Sequence, residues 1–250
     1  MIAAPGLRGR TKLLSALALT VTAAVLAVWA GTAAAASRSR PLVESRSQEL
    51  ALLVDSHEAM SAPSANSVVL QVVGAQRPIT EEQTVLPVLG HKTGTNGIRW
   101  LQVRLPGRPN SHTGWIRKRG TTAAVTRWHL VVDTAARRVI VYQGGRPVRA
   151  FDAVVGKPST PTPAGEFFVE EDVKLGASDV GAPYAIALSA RSNVFQEFQG
   201  GPGQVALHGL ANIGGVPGSA ISHGCVRLDA AAMRWLVARI GPGVPVTITR

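Results

Sequence analysis

The sequence predicts a mainly β protein with one clear helix, and two observations lead to this prediction. Short runs of alternating apolar and polar residues recur along most of the chain, and turns rich in glycine and proline separate them. Only one segment, close to the C-terminus, has apolar residues at helical spacing between a capping residue and a stop signal. With 46% hydrophobic residues among 250, the chain is too apolar for a disordered protein and long enough for one or two domains with cores.

The first residues, 1–36, are predicted to direct export. Arg8, Arg10 and Lys12 precede an apolar run at residues 13–30, and an alanine-rich stretch follows. This order of basic, apolar and small residues is typical of a secretory signal peptide. The alternative is an N-terminal membrane anchor, because the apolar run approaches the ~20 residues that cross a bilayer. In both cases we expect the remainder in the cell envelope, in the periplasm or cell wall.

A linker and a small domain are expected next. Residues 37–66 are rich in Ser, Ala, Arg and Pro, and we interpret them as a linker or stalk. Residues 67–120 contain several short strand-like runs, which favours a small β-barrel because closure removes exposed sheet edges. Around Trp100 and Trp115 the segment resembles the small Src-homology-type barrels found beside cell-wall enzymes. The expected strands are residues 68–73, 84–89, 99–105 and 114–117.

Residues 127–250 are predicted to form a mostly antiparallel β domain with one helix. Asp229 is the expected N-cap of that helix, because its side chain can accept hydrogen bonds from the free amides of the first turn. Met233 and Leu236 then fall on one face, and Gly241 ends the helix. The expected strands are residues 128–133, 138–143, 148–155, 165–173, 185–189, 204–208 and 244–249.

The net charge of +11 and the single cysteine exclude several classes of protein. One cysteine cannot form a disulfide scaffold within the chain or a zinc site built from several cysteines. The basic balance favours anionic partners, and anionic wall polymers suit an exported protein. Nucleic-acid binding is not expected, because the Arg and Lys residues are scattered and form no recognised motif.

Cys225 and two histidines upstream of it are the residue types needed for thiol chemistry. A thiol attacks a carbonyl as the thiolate, so an imidazole that takes its proton activates it. His223 lies two residues before Cys225 and His208 lies seventeen before, and spacing alone does not choose between them. Gly209 and Gly224 permit tight turns that leave backbone amides free, as an oxyanion site requires.

Two other interpretations of these residues stay open at this point. His208, His223 and Cys225 are also suitable ligands for a zinc ion with an open position, although no nearby acidic residue offers itself as a general base. Alternatively, Cys225 is a buried and inert thiol beside two hydrogen-bonded histidines.

The stretch from His208 to Cys225 resembles the signature of the L,D-transpeptidases, the YkuD-type catalytic domain, in which Ser/Thr-His-Gly-Cys follows an upstream histidine. Residues 155–167 are similar to the turn-rich approach segment of that family, and residues 132–146 are similar to its opening hairpin. The resemblance covers residues 127–250, about half of the chain.

This resemblance implies a role for each residue of the motif. Cys225 would be the nucleophile and His208 the general base. The backbone carbonyl of Gly209 would orient the imidazole, and Ser222 and His223 would support the site through hydrogen bonds.

The resemblance also assigns the oxyanion and substrate contacts. The amides of Gly224 and Cys225 would face the developing oxyanion, and Arg227 would face the substrate. Many members carry asparagine where this chain has Arg227, so the preferred donor and acceptor stay open.

The implied reaction is acyl transfer between peptidoglycan stem peptides. Cys225 would attack the third residue of a tetrapeptide stem, release the terminal D-alanine and pass the acyl group from a thioester to a neighbouring stem in a 3→3 cross-link. No cofactor or metal is needed, and β-lactams of the carbapenem type are expected inhibitors. The alternatives are a secreted cysteine peptidase or L,D-carboxypeptidase that uses water, and a non-catalytic wall-binding protein.

Overall fold

The structure is a computed structural model that describes residues 45–94, 96–198 and 200–250. The export segment predicted at residues 1–36 and the start of the predicted linker, residues 37–44, lie outside the described residues. Within the described ranges, no helix is both long and apolar enough to span a membrane.

The described residues form three sheets and one helix, which confirms the predicted mainly β class. The seven strands of the N-terminal sheet are β1 (Gln48–Leu53), β2 (His57–Met60), β3 (Val69–Val73), β4 (Val85–Thr93), β5 (Arg99–Arg104), β6 (Thr113–Arg117) and β7 (Thr121–Thr126). The eight strands of the C-terminal sheet are β8 (Trp128–Asp133), β9 (Arg138–Gln143), β10 (Arg146–Asp152), β12 (Gly165–Lys174), β13 (Tyr184–Arg191), β14 (Gln204–His208), β16 (Val226–Arg227) and β17 (Pro245–Thr249). A two-stranded sheet pairs β11 (Val155–Gly156) with β15 (Ala220–Ser222), and the helix α1 spans Ala230–Val237.

The N-terminal sheet is antiparallel throughout its pairings, in the order β3-β2-β6-β5-β4-β1-β7. It includes Gln48–Leu53 and His57–Met60, so the predicted linker is wrong at these two strands. The physical reason is burial: Ala51, Leu53 and Ala59 lie in the core of this sheet. The closed barrel predicted for residues 67–120 stays a prediction.

The C-terminal sheet has the order β10-β9-β8-β17-β12-β13-β14-β16 and is mostly antiparallel, as expected. Its parallel pairs are β8 with β17 and β14 with β16. The helix α1 begins as predicted, since Asp229 Oδ1 accepts a hydrogen bond from the amide of Ala232 at 2.7 Å. Met233 and Leu236 are buried in the core, and the helix ends at Val237, before the expected stop.

The strand β12 joins the two cores because its successive side chains point to opposite faces. Phe167 packs in the core of the C-terminal sheet, and Phe168 packs in the core of the N-terminal sheet. Each ring is at most 2% exposed. Burial of a phenylalanine side chain stabilises by about 1.5–3 kcal/mol, so Phe168 is a substantial link between the sheets.

Candidate active site

Cys225 immediately precedes β16, and the pairing of this strand with β14 fixes its neighbours. The two strands are parallel, with Leu207 opposite Val226 and His208 opposite Arg227. Leu207 and Val226 are fully buried in the core. Since side chains alternate along a strand, the residues on either side of this pair face away from the core.

This alternation puts Cys225 and His208 on the same face of the two strands. Cys225 precedes Val226 and His208 follows Leu207, so they stand two register positions apart on neighbouring strands. The same face carries Arg227, and all three side chains line one cavity. Local spacing in the sequence gave no indication of this pairing.

The ring of His208 is held in one orientation. Its Nδ1 lies 2.8 Å from the carbonyl oxygen of Gly209, which can only accept, so Nδ1 carries the proton. In the neutral imidazole, Nε2 is then the free acceptor that a general base requires. Gly181 supports the ring from behind: its φ is +85°, and a Cβ there would lie 2.5 Å from Nδ1. Any side chain at position 181 would therefore displace the imidazole.

Ser222 organises the turn that leads to Cys225. Its buried hydroxyl donates to the carbonyl of Cys225 at 2.5 Å and accepts from the amide of Gly224 at 3.1 Å. The carbonyl of Ser222 in turn accepts from the amide of Lys157 at 3.0 Å and from Thr160 Oγ1 at 3.1 Å. Lys157 and Thr160, which belong to the approach segment at residues 155–167, thus hold the turn before Cys225 in place through hydrogen bonds.

These contacts occupy the amide of Gly224, one of the two donors expected at the oxyanion. The amide of Gly224 is bonded to Ser222 Oγ and points into the turn, where φ at Gly224 is +123°. Of the two amides expected at the oxyanion, the one on Cys225 is therefore the remaining candidate. The glycine is required by the backbone conformation, because a left-handed φ disfavours other residues.

His223 is placed differently from His208. It is exposed, and its ring lies 6.0 Å from the ring of Phe198, with 30° between the planes, and 6.1 Å from that of Phe195. These three rings form part of the cavity wall. His223 therefore contributes to the shape of the site, whereas His208 shares one sheet face and the cavity with Cys225.

Burial governs the charge states of Cys225 and His208. Burial raises the pKa of the Cys225 thiol, although the backbone of Ala206 and the charge of Arg227 oppose this effect. Burial also lowers the pKa of His208, against the hydrogen bond to Gly209, and the charge of Arg227 lowers it further. Both shifts favour a neutral thiol beside a neutral imidazole at neutral pH.

The charge of Arg227 acts on both Cys225 and His208. Arg227 is 6% exposed, and its Nη1 donates to the carbonyl of Gly214 at 3.2 Å. Its Nε is buried and has no hydrogen-bond partner in the part of the chain that the structure describes. A buried guanidinium with a free donor is suited to an anionic group of a ligand.

Comparison with known proteins identifies the domain that holds this site. Residues 127–248 match the YkuD family, described as the L,D-transpeptidase catalytic domain. The C-terminal half of the chain belongs to the L,D-transpeptidase family. It is similar to the putative L,D-transpeptidase YkuD of Bacillus subtilis, with 25% identity over 146 residues, which cover 58% of this chain and 73% of that protein.

A mycobacterial relative is matched over a shorter part. L,D-transpeptidase 1 of Mycobacterium tuberculosis is 28% identical over 130 residues, which cover 47% of this chain and 49% of that protein. The chain therefore spans about half of the length of this relative.

Solved L,D-transpeptidase structures also match. The catalytic domain from E. faecium L,D-transpeptidase has 23% identity and a TM-score of 0.38, covering 49% of this chain and 96% of that one. L,D-transpeptidase 3 from Mycobacterium tuberculosis, in complex with a faropenem-derived adduct, has 14% identity and a TM-score of 0.43, covering 66% of this chain and 91% of that one.

The cavity of the transpeptidase domain measures about 410 Å³, within the ~300–1,000 Å³ typical of ligand sites. His208, His223, Cys225 and Arg227 all line it. Among the described residues, no three His, Cys, Asp or Glu side chains are grouped closely enough to hold a metal ion. The zinc interpretation of His208, His223 and Cys225 therefore has no geometric support.

Several residues of the transpeptidase site carried no signal in the sequence. Gly181 supports His208 from a separate loop, and Phe195 and Phe198 flank His223. Ile79 reaches the cavity from the N-terminal sheet. All four lie outside the motif, and no local pattern of apolar or glycine residues indicates these contacts.

Proposed function

We propose that the protein is an exported peptidoglycan L,D-transpeptidase that forms 3→3 cross-links through a thioester on Cys225. The observation that carries this proposal is the placement of Cys225 and His208 on one face of the β14–β16 pair, in a cavity of the transpeptidase domain. This placement favours a reactive thiol over an inert one, because an oriented base shares its sheet face and its cavity. It also favours an enzyme over a non-catalytic wall-binding protein.

In the first stage, Cys225 attacks the carbonyl carbon of the third residue of a tetrapeptide stem. The proton of the thiol passes to Nε2 of His208 as the C–S bond forms, since the resting pair is neutral. The imidazolium then protonates the nitrogen of the terminal D-alanine, the C–N bond breaks, and D-alanine leaves. A thioester remains on Cys225, and His208 is neutral again.

In the second stage, an amine of a neighbouring stem attacks the thioester. His208 takes a proton from that amine, the C–S bond breaks, and the proton returns to the sulfur of Cys225. The product is an amide that links two third residues. Two stages through a thioester avoid direct attack of an amine on an unactivated amide, which is the usual benefit of covalent catalysis.

Arg227 completes the substrate side of the proposal. Its buried guanidinium lies on the same sheet face as Cys225 and retains a free donor at Nε. We propose that it binds a carboxylate of the stem near the attacked carbonyl. It also favours the thiolate that forms when the proton leaves, because its charge lowers the pKa of Cys225.

The acceptor separates the proposed transferase from a carboxypeptidase. We expect the purified protein, incubated with a tetrapeptide stem and an acceptor stem, to release D-alanine and form a cross-linked dimer, as measured by mass spectrometry. Omission of the acceptor is the control. A shortened monomer without dimer, at every acceptor concentration, would establish the L,D-carboxypeptidase alternative instead.

Export is the remaining part of the proposal and lies outside the described residues. Residues 1–36 have the layout of a secretory signal, and the stems lie outside the cytoplasmic membrane. N-terminal sequencing of the protein from the cell envelope should begin near Ser37 if the signal is cleaved. Retention of Met1 in membrane-bound protein would support the anchor, whereas Met1 on cytosolic protein would contradict export.

A further inference from the structure

We propose that the β3–β4 loop, residues 74–84 of the N-terminal sheet, is part of the substrate site, and that Ile79 contacts the aliphatic part of the bound stem peptide. The proposal rests on the proposed function for the identity of the ligand. It adds a specificity-determining residue that lies outside residues 127–248, the part matched by the transpeptidase family.

Ile79 lies where a ligand of Cys225 would meet it. Its side chain lines the same cavity as Cys225 and is nevertheless 61% exposed. Apolar Leu175 and Val180 of the transpeptidase domain line the same cavity. An exposed isoleucine in an apolar wall gains burial only when a ligand with apolar groups occupies the cavity.

The β3–β4 loop is ordered by its own backbone. Gln76 and Gln83 form an antiparallel bridge across its base. Inside the loop, the amide of Arg77 donates to the carbonyl of Glu82 at 2.8 Å. These bonds close the loop into a narrow projection with Ile79 close to its tip, so its reach is set by the fold and not by a flexible chain.

The β3–β4 loop is held against β12 of the transpeptidase domain by hydrogen bonds and ion pairs. The amide and hydroxyl of Thr80 both donate to Glu171 Oε2, at 3.1 and 3.0 Å. Arg77 pairs with Glu170, whose other oxygen lies 3.0 Å from Arg191 Nη1. Glu170 and Glu171 are each 1% exposed.

The buried ion pairs of Glu170 with Arg77 and Arg191 hold the β3–β4 loop, and therefore Ile79, in one position. Removal of one partner from a buried ion pair is strongly destabilising, because it leaves a desolvated charge uncompensated. The β3–β4 loop therefore keeps one position relative to β12, which continues directly into Leu175 of the cavity wall. An apolar side chain fixed in this way can select a ligand by shape.

The test measures binding of a tetrapeptide stem by calorimetry to Cys225→Ala protein, which cannot react. Adding Ile79→Ser should weaken the affinity about fivefold to twentyfold, the loss expected when a ligand covers most of an isoleucine side chain. Ile79→Leu should restore most of it. Val54→Ser is the matched control and should change nothing, since Val54 is 57% exposed in a loop of the same sheet and does not line the cavity.

Three outcomes separate this inference from the proposed function. Unchanged affinity in Ile79→Ser overturns the inference and leaves the proposed function intact. An equal loss in Val54→Ser also overturns it, because the effect is then not specific to the cavity. If Cys225→Ala protein binds no stem at all, both are overturned. Alkylation of Cys225 by iodoacetamide in single Ile79 variants distinguishes lost binding from a lost reactive thiol.

Discussion

Replacement of Cys225 by alanine should abolish covalent labelling of the protein by a carbapenem. The strained β-lactam carbonyl takes the place of the stem carbonyl in the cavity, and Cys225 is the single thiol of the chain. We expect intact-protein mass spectrometry to show one carbapenem added to the wild-type protein and none to Cys225→Ala. The rate of adduct formation on Cys225→Ala should fall to the detection limit, at least about 1,000-fold below the wild-type rate, because the variant has no nucleophile at this position.

Circular dichroism of the variant is the control for this experiment, and little structural change is expected because Cys225 is only partly buried. An adduct that persists on folded Cys225→Ala would place the nucleophile elsewhere. Absence of an adduct on the wild-type protein would contradict the predicted inhibitor class.

Features of the fold that depend on local sequence were predicted well. Most strands of residues 127–250 follow from alternation of apolar and polar residues, although β15 and β16 were not predicted, and the helix α1 follows from Asp229 and the apolar face behind it. In each case neighbouring residues are sufficient to specify the structure. The composition of residues 37–66 predicts a linker. The burial of β1 depends instead on its pairing with β4 and β7, which follow much later in the chain.

The candidate site likewise has one part that the local sequence predicts and another part that only the fold determines. The residue types of the motif indicated thiol chemistry, but the choice between His208 and His223 needed the register of β14 against β16. The hydrogen bond that occupies the Gly224 amide could not be predicted either, because it depends on the rotamer of Ser222. The contribution of Ile79 depends on ion pairs between distant segments, which no local pattern records.

Replacement of His208 by alanine should slow acylation at neutral pH by about 100- to 10,000-fold, the usual contribution of a general base. Burial lowers the pKa of His208, so the wild-type imidazole is an available base throughout the neutral range. The wild-type rate should therefore stay level near pH 7 and fall only as the pH drops below the ordinary histidine pKa of about 6.5. The measurement is the pH dependence of carbapenem acylation.

The variant should have a different pH profile, because burial raises the pKa of the Cys225 thiol. Without His208, only the thiolate formed by direct ionisation can react. The rate of His208→Ala should then rise about tenfold per pH unit and level off above the ordinary cysteine pKa of about 8.5. Partial recovery at high pH is the sign that His208 acts by taking a proton.

His223→Ala is the matched control, since it removes a second imidazole from the same cavity wall. His223 packs beside Phe195 and Phe198 and lies outside the strands β14 and β16 that carry His208 and Arg227. Its loss should change the shape of the cavity and reduce acylation to an extent that higher pH does not restore. The pH profile should keep its wild-type form, because the thiol and His208 are unchanged. Recovery at high pH in folded His223→Ala but not in folded His208→Ala would reverse the assignment of the base.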